Sequence, residues 1–203
     1  MSVKVKICGV RTVADARAAV AAGADYLGRN FHAPSPRAVE LAAARAIAEA
    51  VPGTPLVGVF VDVPREEVAR VADAVGLAAL QFHGEEDPAY CRGWDRPVVK
   101  AIRVRPGADG AALASRYGTD YILLDSHVAG VPGGTGVPLD LDVARALPAA
   151  RLFVAGGLTP DTVADVVRAL RPYAVDVATG VEERPGVKDH AKIDAFIRRA
   201  KAA

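Results

Sequence analysis

Eight positions in the sequence could carry acid–base or anion chemistry, and each stands at or near the end of a short β-rich run: Cys8, His32, Arg37, Asp62, His83, Arg103, Asp125 and Asp176. Cys8 lies two residues from Lys6. A cation that close would lower the thiol pKa and enlarge the thiolate fraction, making Cys8 a base or nucleophile; the alternative is a small buried hydrophobe. Asp125 ends the apolar run 121–124, where a carboxylate serves as a general acid or, more plainly, as a helix cap or loop charge. An acid and a base facing each other across one mouth suit an isomerisation in which one group takes a proton from carbon while the other protonates oxygen. Arg37, after Pro36, is either a solvated loop charge or a bidentate partner for a substrate carboxylate. Gly156 and Gly157 follow one β-rich run and Gly180 follows the next, a pairing suited to holding a phosphate on backbone N–H groups.

The elements that must position these residues are eight β-rich runs, at 3–8, 26–31, 55–61, 77–82, 98–102, 121–125, 152–155 and 174–179. Between them lie Ala/Arg-rich segments with apolar residues at helical spacing, such as Val163, Val166, Val167 and Leu170. Strands alternating with helices throughout predict parallel strands and a closed (β/α)8 barrel, whose active site lies at the C-terminal ends of its strands. An open doubly wound sheet is the competitor, but Cys8-Gly9-Val10-Arg11-Thr12 lacks the glycine-rich dinucleotide turn that fold would place after its first strand. Alternation sends Val3, Val5 and Ile7 toward the helices and Lys4, Lys6 and Cys8 inward; likewise Val175 and Val177 point out, with Asp176, Ala178 and Gly180 in.

The whole chain reads as one domain, 1–203. It has 203 residues, 51% of them hydrophobic, with 25 Lys+Arg against 24 Asp+Glu and a formal net charge of +1. Balanced charge argues against nucleic acid or an acidic membrane as partner and leaves small metabolites. The alternating N-terminus is unlike a signal peptide, no run approaches a membrane span, and two cysteines make neither a disulfide framework nor a zinc cluster, so the cytoplasm is expected. The spacing of His32, His83 and His127 indicates no metal. Cys91, in a segment read as helical beside Trp94, is expected to pack, and His190 to sit at the surface or cap a helix. Nothing distinguishes a monomer from a homodimer.

The strings Val5-Lys6-Ile7-Cys8-Gly9, Ser35-Pro36-Arg37, Gly58-Val59-Phe60-Val61, Leu80-Gln81-Phe82-His83-Gly84, Leu124-Asp125-Ser126, Gly133-Gly134-Thr135-Gly136, Ala155-Gly156-Gly157-Leu158 and Gly180-Val181-Glu182 through Pro185-Gly186-Val187-Lys188-Asp189 run in order from end to end. In this the chain resembles the phosphoribosylanthranilate isomerases of tryptophan biosynthesis. The resemblance implies a (β/α)8 barrel that catalyses an Amadori rearrangement of a phosphorylated substrate without metal or organic cofactor. It also implies roles: Cys8 as general base, Asp125 as general acid, Arg37 on the anthranilate carboxylate, Gly156, Gly157 and Gly180 around the phosphate, and His83 and Asp176 lining the pocket. Leu27-Gly28-Arg29-Asn30-Phe31 departs from the family pattern by placing two polar residues in the second strand. One must face the helices, which costs several kcal/mol unless the strand bulges or Arg29 finds an acidic partner such as Asp25. Val137-Pro138 and Thr179 depart as well. Two other readings stay open here: a phosphosugar isomerase of altered substrate, supported by Arg29 and Asn30, and a barrel that binds a phosphorylated metabolite without turning it over.

Overall fold

A computed structural model describes residues 2–103, 109, 112, 115–125 and 141–203. The first strand, β1 (Lys4–Ile7), sets the pattern for the rest: Val5 and Ile7 are buried in the outer core with Ala16, Ala19, Ile193 and Phe196, while Lys6 between them points into the lumen. Seven further strands repeat this, β2 (Tyr26–Asn30), β3 (Leu56–Phe60), β4 (Ala79–Phe82), β5 (Val98–Arg103), β6 (Tyr121–Asp125), β7 (Leu152–Ala155) and β8 (Ala174–Val177). All pair in parallel and in sequence order, and β8 closes on β1 with Lys6 opposite Asp176. The lumen carries its own smaller core of Val99, Ala101, Leu123, Phe153, Ala155 and Ala174, against which Tyr26, Tyr121 and Tyr173 pack.

The helices that the described residues give in full are α1 (Val13–Ala21), α2 (Leu41–Ala50), α3 (Arg65–Val75), α4 (Leu141–Arg145) and α5 (Val163–Leu170) between strands and α6 (His190–Lys201) after them. Local chemistry starts and stops them. Thr12 caps α1 by accepting from the Asp15 amide, and Asp189 caps α6 by accepting from the amides of Ala191 and Lys192, contacts that contribute on the order of 1 kcal/mol each. In α3 the buried residues Val68, Val71, Ala72 and Val75 recur at helical spacing, and Gly76 ends the helix in the left-handed region.

Strict alternation of strand and helix fails between β4 and β5, where residues 83–97 form turns. Pro88, Gly93 and Pro97 break up this stretch, and Cys91 sits there buried in a turn rather than a helix. Arg65 of α3 clasps it, donating to the carbonyls of Tyr90, Arg92 and Gly93 with its guanidinium 4.0 Å from the Trp94 ring. Because a polar loop covers β5 here, its outward Lys100 is buried against Glu86 (2.7 Å), which also accepts from the amides of Asp62 and Gly84.

The second strand also departs from expectation. β2 pairs continuously with β3 from Leu27 to Asn30, so it does not bulge, and Asp25 binds Lys4, Lys201 and the Val5 amide instead of Arg29. Arg29 faces the helices at 0% exposure; its Nη1 donates to the Val10 and Gly28 carbonyls, and Nε and Nη2 have no partner among the described residues. Burial pulls this guanidinium down to about 10. The Gly133-Gly134-Thr135-Gly136 string, Ser126, His127 and Val137-Pro138 lie outside the described residues.

Candidate active site

The strand ends enclose a cavity of about 260 Å³ lined by Cys8, Asn30, His32, Arg37, Gln81, His83, Asp125, Gly156, Gly157, Asp176, Thr179 and Gly180. It thus gathers residues from β1, β4, β6 and β8 with the loops after β2, β7 and β8. Asp62 and Arg103 are not among its lining residues. Asp62, at a φ of 52°, accepts from the Glu85 amide, and Arg103 donates to the His83 carbonyl from the exposed end of β5. His190 opens α6 and contacts Asp15 at 2.8 Å, away from the cavity.

Cys8 is half-buried above the Lys6–Asp176 pair, in which Lys6 Nζ donates to Asp176 Oδ2 at 3.0 Å. Lys6 does pull the thiol pKa down, as expected, but it does not prevail. Burial is the largest influence and pushes the thiol up; Lys6, then Lys188, pull it down, Asp176 pushes it up further, and the balance lies above the ordinary value of 9.0. Burial also disfavours charged Lys6, but Asp176 and the thiol more than offset this and hold it above the usual lysine range. Asp176 Oδ1 is buried with no hydrogen-bond partner among the described residues. Gly28 makes room for the cluster: a Cβ there would stand 2.8 Å from Cys8 Sγ and 3.1 Å from Lys6 Nζ.

On the other side Asp125 Oδ2 meets His83 Nε2 at 3.1 Å, and His83 Nδ1 meets Gln81 Nε2 at 3.0 Å, so β4 and β6 share one polar chain. Arg37 is no solvated charge. Its Nε and Nη2 donate to the two carboxylate oxygens of Glu182 at 2.8 and 2.7 Å, and Lys188 donates to the same carboxylate at 3.1 Å. Burial raises the Glu182 pKa, but its two basic partners more than offset that and hold it below the ordinary carboxyl value. Asn30 shapes the same region, donating to Ser35 Oγ and accepting from the His32 amide. Gly156 and Gly157 both have positive φ, and a Cβ on Gly180 would run into the Leu158 carbonyl, so the two glycine turns pack against each other.

Sequence reasoning quoted Gln81, Glu182 and Lys188 only within longer strings and gave them no role. Gln81 is two residues before His83 on the same face of β4, so alternation alone could have found it. Glu182 has no local signal, because its partner Arg37 is 145 residues away.

Residues 5–199 match the family model for N-(5'-phosphoribosyl)anthranilate isomerase. The chain is 50% identical over 198 residues to the enzyme of that name from Pseudomonas fluorescens, covering 97% of each. Its backbone is similar to the crystal structure of phosphoribosyl anthranilate isomerase from Thermotoga maritima, with a TM-score of 0.90, 35% identity and coverage of 99% of this chain and 100% of that one. A second solved phosphoribosyl anthranilate isomerase, in complex with reduced 1-(o-carboxyphenylamino)-1-deoxyribulose 5-phosphate, gives a TM-score of 0.85 at 36% identity and the same coverage.

Proposed function

The chain belongs to the N-(5'-phosphoribosyl)anthranilate isomerase family, and from that premise we propose how its residues divide the work. The activity is the Amadori rearrangement of N-(5-phosphoribosyl)anthranilate to 1-(2-carboxyphenylamino)-1-deoxyribulose 5-phosphate, a step of tryptophan biosynthesis. Asp125 gives its proton to the ribose ring oxygen as the bond from that oxygen to C1 breaks, leaving a protonated Schiff base. Cys8, as thiolate, then takes the proton from C2, and the electron pair moves to the nitrogen to give an enolamine that tautomerises to the ketone. Arg37, held by Glu182, offers its remaining N–H edge to the anthranilate carboxylate. Backbone amides at Gly156, Gly157 and Gly180 receive the phosphate. Asp176 Oδ1 accepts from a substrate hydroxyl, and His83 steadies Asp125. Residues 1–203 act as one barrel in the cytoplasm.

One observation carries this assignment: a thiol from β1 and a carboxylic acid from β6 line one cavity whose rim is made of the glycine turns after β7 and β8. Substrate generated in situ loses its anthranilate fluorescence on rearrangement. Cys8→Ser and Asp125→Asn should each slow that loss by about 10²-fold or more while leaving the far-ultraviolet circular dichroism unchanged. A folded variant with near-parental turnover would remove its residue from the mechanism.

A further inference from the structure

Gln81 is 1% exposed on the lumen face of β4, and its amide has one side-chain partner, His83 Nδ1. Its Oε1 is buried with no partner among the described residues. It is the amide nitrogen, a donor with no lone pair to offer, that stands on Nδ1. A nitrogen that accepts carries no proton, so the imidazole proton must sit on Nε2, which faces Asp125 Oδ2 at 3.1 Å.

We propose that Gln81 is a positioning residue for the general acid: by donating to Nδ1 it holds His83 in the neutral tautomer with its proton on Nε2, so that Asp125 accepts through Oδ2 and carries its transferable proton on Oδ1. The inference rests on Asp125 being the acid. Its chemical sense is that Asp125 must be a carboxylic acid before ring opening and a carboxylate after it. A donor on Oδ2 suits both forms, whereas a lone pair there would suit the acid and repel the anion. The titratable and charged groups facing this pair are Cys8 from β1, His32 and Arg37 from the loop after β2, Arg103 from β5 and Asp176 from β8. Among the described residues, Gln81 is the hydrogen-bond partner of Nδ1.

The test combines ring-nitrogen NMR of the full chain, with His83 assigned by loss of its signals in His83→Asn, and kinetics of two variants. At a pH where the parent's His83 is neutral, Nδ1 should be unprotonated and Nε2 protonated. Gln81→Glu supplies an acceptor instead of a donor and should move the proton onto Nδ1, lower kcat at least ten-fold with little change in KM, and displace the pH profile of kcat. Gln81→Met, which neither donates nor accepts strongly, should populate both tautomers and lose less. A proton on Nδ1 in the parent overturns the proposal, as does a folded Gln81→Glu whose kcat and pH profile match the parent's. Asp125→Asn separates the two readings: full activity there defeats the acid assignment, while its His83 tautomer still reports on Gln81.

Discussion

Lys6 decides how much of the Cys8 thiol is available as thiolate, because it is the strongest charge working against burial. It cannot simply be deleted, since that would strand buried Asp176 without its partner, a loss of about 3–5 kcal/mol. Removing both in Lys6→Met/Asp176→Asn keeps the lumen neutral. Of the two charges Lys6 has the larger effect on the thiol, so the pair's net influence is downward and its loss should raise the thiol further. Alkylation of Cys8 by iodoacetamide at neutral pH should then be several-fold slower than in the parent, measured by mass spectrometry; an equal or faster rate would mean that Lys6 does not govern the thiol. Alternation on β1 and β8 makes Lys6, Cys8 and Asp176 legible in the sequence as inward residues, and their register explains why they touch. The net effect on the thiol was not legible, because burial is a property of the packed lumen and outweighs the adjacent cation. Arg29 loses its bearing on substrate choice once placed, since it faces the helices, whereas Asn30 lines the cavity and ties the loop that carries Arg37.

At the scale of elements, the short hairpin β9 (Glu182–Arg184) and β10 (Val187–Lys188) follows the barrel and delivers Glu182, 2% exposed, between Arg37 and Lys188. One carboxylate thus fastens the loop after β2 to the segment after β8. Its folded pKa lies below the ordinary 4.5, so its contribution is fully present above that value and fades as the pH drops through the lower, folded one. Glu182→Gln should cost roughly 3 kcal/mol near neutral pH by leaving buried Lys188 and half-buried Arg37 without their counter-charge, and the gap to the parent should narrow in acid as the parent's own carboxyl protonates. Urea titrations at several pH values measure this, and a gap that does not vary with pH would deny the ion pair its role. The eight strands were legible because each is a compact β-rich run. The β4–β5 turn segment was not, since Tyr90, Cys91 and Trp94 mimic a buried helical face while their packing is dictated by Arg65 from a different helix.

Across the molecule, the outer core joins residues from Val3 to Ala200 in one cluster, and the strand ladder has no edge. That continuity predicts a single cooperative unfolding event. Trp94, the only tryptophan, reports on the β4–β5 segment, whereas far-ultraviolet circular dichroism averages over the barrel. Their urea midpoints should coincide; an earlier fluorescence transition would show that the turn segment detaches as a unit of its own. Closure of β8 on β1 has a further meaning for how such a molecule comes into being on the ribosome. The thiol is made some 170 residues before the carboxylate beneath it and the glycine turn that follows β8. Over that stretch of synthesis the thiol exists without a cavity around it, and the cavity closes only when β8 reaches back to β1.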